Sequence, residues 1–116
     1  MGSIAKLYVQ GGDIRAFLES ERKRFDRIAR YKHMIQPDMV PTLESVLHDV
    51  ESTLQNPEKV QLTNIPFAAS EMDASYSIIN ESCGYEVEVY APEPNKGIVE
   101  TIKGMLEKHN FEVNYK

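Results

Sequence analysis

The residues that could carry chemistry are few, and Cys83 is the first of them. A cysteine becomes a nucleophile when a histidine or another base activates its thiol. Cys83 lies between Ser82 and Gly84, a setting typical of an exposed turn. The nearby acids Glu81 and Glu86 disfavour the thiolate, and no basic residue lies near in sequence. We therefore interpret Cys83 as an ordinary turn or sheet cysteine.

Histidine and aspartate residues offer a second chemistry, the binding of a metal ion. Metal-dependent phosphohydrolases hold their cation with paired His and Asp ligands on a helical bundle, and the order His33, His48-Asp49, Asp73 has a superficial similarity to such a set. Here, however, Asp73 falls where the chain turns into sheet. His48 lies about 120° from the centre of its helix's apolar stripe, which predicts a solvated side chain. The pattern predicts no metal site.

Other catalytic patterns are absent from the sequence. Gly11-Gly12 lacks the lysine and the spacing of a phosphate-binding loop, and it is better read as the turn from a strand into a helix. The carboxylates of Glu71 and Asp73 could take part in acid–base chemistry, but a solvated loop explains them equally well. We expect His109 to be a packed or capping residue. The sequence thus favours a protein without a cofactor and without catalytic activity.

Charge is distributed unevenly along the chain, and this is its most informative feature. Residues 1–35 carry eight Lys or Arg against four Asp or Glu, a balance of +4, whereas residues 36–116 carry five Lys against fourteen acids, a balance of −9. Arginine suits carboxylate and phosphate partners better than lysine does. All the arginines fall within one predicted helix, and they are Arg15, Arg22, Arg24, Arg27 and Arg30.

Both charged regions have a plain interpretation beside a functional one. The arginines could form a surface for an acidic protein or for nucleic acid, or they could be a solvated helix face in which acids four residues away, as in Asp26 with Arg30, neutralise them. Glu86, Glu88 and Tyr90 would project from one side of a strand. That acidic side could contact a basic protein, or it could be the wet side of an antiparallel sheet.

The elements that position these residues follow from periodicity. Alternation of apolar residues predicts strands, a 3.6-residue period predicts helices, and Pro, Gly and Asn mark the ends. The predicted order is β-α-α-β-β-β-α-β, which indicates an α+β fold with a mostly antiparallel sheet, helices on one face and a split β-α-β unit at the end. The elements are Ile4–Gln10, Ile14 to about Ile35, Val40–Gln55, a strand with Val60 and Leu62 that has Pro66 at its end or on a sheet edge, Ser75–Asn80, Tyr85–Tyr90, a helix with Ile98 to His109, and Phe111–Tyr115.

The sequence also gives four local expectations. Asp13 is expected to cap the first helix, and Asn110 to adopt the left-handed conformation that closes the last one. Leu47 and Val50 are expected to be buried at the centre of the second helix's apolar stripe. The segment Ala68 to Ala74 is interpreted as a loop.

Composition limits the class of protein further. One domain is the usual number for 116 residues, and a hydrophobic content of 41% suits a globular chain. A single cysteine excludes an internal disulfide and favours a reducing, cytoplasmic location. No signal sequence or membrane span is predicted.

The sequence therefore favours a small non-catalytic module that binds a protein, as a regulator, inhibitor or adaptor. Such proteins are common among accessory and phage-encoded proteins. The residues expected to contact the partner, either another protein or a second copy of the chain, are Arg22, Arg24, Arg27, Arg30, Glu86, Glu88 and Tyr90. The alternatives are nucleic-acid binding through the first helix and, third, a small enzyme.

Overall fold

The computed structural model describes residues 3–30, 40–68, 71–91 and 96–115. Within these ranges the chain forms five strands and three helices in the order β-α-α-β-β-β-α-β, as the sequence predicts. The elements are β1 (Ser3–Gln10), α1 (Ile14–Arg30), α2 (Val40–Gln55), β2 (Gln61–Ala68), β3 (Glu71–Asn80), β4 (Tyr85–Ala91), α3 (Lys96–Glu107) and β5 (Glu112–Tyr115). The continuation of the first helix from Arg30 to Ile35, which the sequence predicts, lies outside the described residues.

The strands form one antiparallel sheet in the order β2-β3-β4-β1-β5. β1 lies between β4 and β5 and pairs with both of them, and α3 connects the two outer strands. This is the split β-α-β arrangement that the sequence predicts. It places β1 inside the sheet, next to β4, which is the acidic strand and the central one.

One side of the sheet carries the hydrophobic core. Alternate residues of β1, β3 and β4 join a single buried cluster with α1, α2 and α3, so all three helices cover the same face. The result is a two-layer α+β domain. The buried strand residues of this cluster include Leu7, Val9, Tyr76, Ile78, Val87 and Val89.

The ends of the helices have the capping chemistry that the sequence indicates. The backbone N–H of Ala16 donates to Oδ1 of Asp13 at 3.0 Å, which confirms Asp13 as the N-cap of α1. Asn110 has a φ of 70° and follows α3, so it adopts the predicted left-handed conformation.

The expectations for β2 and β3 need one correction and one refinement. The segment Ala68 to Ala74 is not a loop, because β2 continues to Ala68 and β3 already begins at Glu71, with these two residues paired. The small side chains of this segment show little alternation between apolar and polar residues, so the sequence does not indicate a strand. The strand forms because β2 and β3 pair along their length, whatever the local preference of the segment. Pro66 lies inside β2, which is an edge strand, as a proline in a sheet requires.

The apolar stripe of α2 is centred differently from the expectation. Val50 is fully buried, as predicted, but Leu47 is only half-buried. The other buried positions of α2 are Leu43 and Val46. The buried stripe is therefore rotated away from Leu47 and toward Val46 on the side of α2 that packs against α1 and β2.

Candidate functional site

The second face of the sheet, which we call the open sheet face, brings together residues from β1, β3 and β4. Strand pairing places Tyr8, Glu86 and Ile79 in one row across the sheet, because Tyr8 is opposite Glu86 and Glu86 is opposite Ile79. A neighbouring row contains Lys6 and Glu88, and Tyr90 follows two residues later on β4. No helix among the described residues packs on this face.

Glu88 is the centre of the polar contacts on the open sheet face. Its Oε1 lies 3.7 Å from Nζ of Lys6, and the hydroxyl of Tyr90 donates a hydrogen bond to its Oε2. That hydrogen bond to a carboxylate raises the pKa of Tyr90, with smaller contributions from partial burial and from the negative charge. Strand β4 thus brings Glu86, Glu88 and Tyr90 to one side of the sheet, as expected.

The open sheet face combines negative charge with apolar surface. Register also places Glu112 of β5 on this face beside Gln10. The side chains that the structure describes on this face therefore include three glutamates and one cation, Lys6. Ile79 is 39% exposed and is among the few large apolar side chains that the described residues expose. The half-buried ring of Tyr8 lies in the same row. This mixture differs from a purely solvated sheet surface.

Helix α1, which carries the arginines, lies on the other side of the sheet and has a buried side and an exposed side. Residues Phe17, Glu21 and Phe25 are buried against the core, and Lys23, Arg27 and Arg30 project from the opposite side, which we call the outer face of α1. Since α1 packs on the covered side of the sheet, the outer face of α1 points away from the open sheet face. The sequence-predicted site residues therefore form two separate surfaces.

Ion pairs within α1 neutralise much of its positive charge. Arg30 lies 3.1 Å from Asp26, which is a pair that the sequence predicts. Arg22 lies 3.0 Å from Glu19, three residues away, and not beside Asp26 at the expected spacing of four. Both pairs are largely exposed, so each contributes little to stability. Within the described residues, Arg27 forms no ion pair.

Arg24 has a structural role that the sequence analysis missed. Its guanidinium binds the carboxylate of Glu21 through Nε at 3.1 Å and a terminal nitrogen at 2.5 Å, and the same nitrogen donates to the carbonyl of Pro66 at 3.2 Å. The Tyr76 hydroxyl donates to the same carboxylate at 2.7 Å. Burial, and then the adjacent Glu21, raise the pKa of Tyr76 well above its usual range.

We call Glu21, Arg24 and Tyr76 the buried polar cluster. Glu21 is 1% exposed, and among buried side chains of the described residues no polar atom lacks a hydrogen-bond partner. The sequence did contain a signal, because Glu21 interrupts the apolar stripe of α1. The sequence assigns Arg24 to the contact surface for a partner, but its guanidinium is bound to Glu21 and to the carbonyl of Pro66.

Among the residues considered for catalysis, the structure describes the side chains of Cys83, His48 and His109, and these three lie apart from one another. Cys83 is exposed in the turn between β3 and β4, beside a shallow cleft of about 450 Å³ whose lining includes Glu58 and Glu81. His48 is exposed, and His109 packs edge-on against Phe17 with 6.0 Å between ring centres. His33 lies outside the described residues. No group of three or more metal-ligating side chains occurs in residues 3–30, 40–68, 71–91 and 96–115.

Comparison with known proteins identifies no relative. No protein family, curated protein or solved structure matches the chain. Of the helices described, none combines the length and the apolar character that crossing a membrane requires.

Proposed function

We propose that the protein is a small non-catalytic module that binds another protein, as a regulator, inhibitor or adaptor, and that the open sheet face is its contact surface. One observation carries this proposal. The three helices cover one face of the sheet, while the other face presents tyrosine, isoleucine and glutamate side chains that no described element covers. Interfaces are rich in tyrosine, whose ring buries much area and whose hydroxyl still finds a partner.

The open sheet face is preferred to the outer face of α1 for reasons of charge. Three of the arginines, Arg22, Arg24 and Arg30, already have carboxylate partners within α1. Arg24 is further committed to the buried polar cluster. The net charge of the chain, −5, also opposes the approach of a polyanion, so nucleic-acid binding through α1 remains the second candidate.

The positions of the two surfaces favour a foreign partner over a second copy. A contact between the outer face of α1 in one copy and the open sheet face in another would join unlike surfaces on opposite sides of the molecule. Repetition of such a head-to-tail contact builds a ring or an open filament and not a closed pair. The described outer face of α1, around Lys23, Arg27 and Arg30, also offers no apolar side chain to cover Ile79.

The proposal is tested with two variants of matched charge change. The sheet-face variant carries Glu86→Lys and Glu88→Lys, and the helix-face variant carries Lys23→Glu and Arg27→Glu. The partner is first purified from the native cell at low salt by its binding to the immobilised chain. Calorimetry then measures the dissociation constant of this partner for the parent chain and for both variants. We expect the sheet-face variant to bind about tenfold more weakly or worse, which is about 1.4 kcal/mol, and the helix-face variant to bind like the parent.

Each opposite result has a definite meaning. Loss of binding in the helix-face variant alone would move the contact surface to α1. If that variant instead loses retention on DNA or RNA while no protein partner is affected, the nucleic-acid alternative replaces the proposal. Circular dichroism of both variants must first show native helix content, so that unfolding is not mistaken for lost contact.

A further inference from the structure

The chemistry of the partner can be inferred from the open sheet face, and the inference rests on the function proposed above. The face has a net charge of −2 over its described residues, from Glu86, Glu88 and Glu112 against Lys6. Complementarity of charge sets register and association rate at protein interfaces. Basic side chains on a partner would complement this charge.

The sheet edges do not favour a partner that adds a strand. β2, at one edge, is irregular, because its register with β3 shifts between Leu62 and Ile65, Asn64 has a φ of 56°, and Pro66 has no N–H to donate. β5, at the other edge, has only four residues. Irregular and short edge strands of this kind resist pairing with another chain. A partner is better accommodated on the face.

A helix fits this face in both length and spacing. Helices pack on sheet faces in layered folds, as they do on the other side of this sheet. β1 has eight residues, so it spans about 27 Å, the length of a helix of about 18 residues. Glu86 and Glu88 are two residues apart on one face of β4, or about 7 Å. Basic residues at positions i and i+4 of a helix are separated by about 6 Å along its axis and would meet both carboxylates.

The apolar residues of the open sheet face indicate which side chains the partner helix needs beside its basic ones. Ile79 and the ring of Tyr8 flank Glu86 in one row, so an apolar side chain is needed next to the basic ones. We propose that the partner presents an amphipathic helix bearing lysine or arginine, which lies on the open sheet face as a third layer. The binding mode is that of a helix packed on a sheet through adjacent apolar and basic positions.

The inference is tested with a synthetic helix of simple composition. The probe is a fluorescent peptide of about 18 residues, made of leucine and lysine in a 3.6-residue pattern. Its control has the same length and charge, with two central leucines replaced by proline to prevent the helix. Anisotropy titrations against the full chain at low salt are expected to show binding of the helical peptide about tenfold or more tighter than the control.

Variants of the chain locate the bound peptide. We expect the helical peptide to bind about tenfold more weakly to the double variant Glu86→Gln with Glu88→Gln. The single variant Ile79→Ser should weaken its binding to a similar extent. Lys23→Gln with Arg27→Gln is the matched control and should bind it as the parent does. Equal binding of the helical and proline peptides would overturn the helical partner, and peptide binding that the sheet variants do not change would overturn its location.

The outcomes separate this inference from the proposed function. If the sheet-face variant loses the natural partner but the helical peptide has no advantage over the proline control, the partner is not a basic helix while the proposed function stands. If the helix-face variant alone loses the natural partner, both the function and the inference fail. Sedimentation of the chain alone gives a further outcome: head-to-tail growth with concentration, abolished by the sheet variant, would identify a second copy as the occupant and overturn the inference.

Discussion

The buried polar cluster gives a prediction whose size follows from its contacts. The carboxylate of Glu21 accepts hydrogen bonds from Tyr76 and twice from Arg24, and the Arg24 side chain is 24% exposed. Glu21→Gln keeps the shape but removes the charge and replaces one acceptor with a donor. A lost hydrogen bond to a charged group costs about 1.5–3 kcal/mol, and breaking a buried ion pair costs about 3–5 kcal/mol. Partial exposure of Arg24 reduces the second value, so we expect a loss of about 2–4 kcal/mol.

Urea denaturation followed by circular dichroism measures this loss. The matched control is Glu19→Gln, which breaks the exposed pair with Arg22 on the same helix and should change the free energy of unfolding by less than about 0.5 kcal/mol. Combining Glu21→Gln with Arg24→Gln should cost clearly less than the sum of the single changes, because each single change leaves the other partner uncompensated. If Glu21→Gln and Glu19→Gln have equal, small effects, the cluster does not stabilise the fold as argued.

Further predictions concern stability. Leu43→Ala should cost about 2–5 kcal/mol in urea-derived free energy and Leu47→Ala clearly less, because only Leu43 is fully buried; equal losses would place both side chains alike in the core. Gly84→Ala should cost about 1–3 kcal/mol by the same assay, since the added methyl would lie 2.2 Å from the backbone oxygen of Val9. The pKa of Tyr76 is raised, mainly by burial, above the unfolded value of about 10, so the folded chain binds more protons and stability should fall as pH rises beyond about 10. The measurement is urea denaturation at several pH values from about 9 to about 11, a range around the unfolded pKa of tyrosine. Tyr76→Phe should make the free energy of unfolding fall less steeply with pH, and an unchanged slope would contradict the assignment of this effect to Tyr76.

Periodicity in the sequence was sufficient to predict the element order, because most strands and helices here have one solvent-exposed side and one buried side. The alternation around Val87 and Val89 marks β4, and both residues are buried in the structure. The segment from Ala68 to Ala74 could not be read this way, because small residues carry little contrast between faces. Its strand structure comes from pairing of β2 with β3, and local preference does not report such pairing.

The candidate site was predicted in part. Projection of Glu86, Glu88 and Tyr90 from one side of β4 follows from a two-residue period, and the structure adds the neighbours from β1 and β3 that make this side a surface. Arg24 could not be assigned from the sequence, since the Tyr76 hydroxyl that completes its cluster is 55 residues from Glu21 along the chain. Contacts of that kind depend on the packing of a helix against a strand distant in sequence.

The central claim, that the open sheet face contacts the partner, is tested most directly by protection of a single thiol. In a Cys83→Ser background, Ile79→Cys places a cysteine on the open sheet face, and Lys23→Cys places one on the outer face of α1. The rate of alkylation of each thiol is measured with and without the purified partner at saturation. We predict that the partner slows alkylation at position 79 by about tenfold or more and leaves position 23 unchanged. Protection at position 23 with none at position 79 would contradict the account.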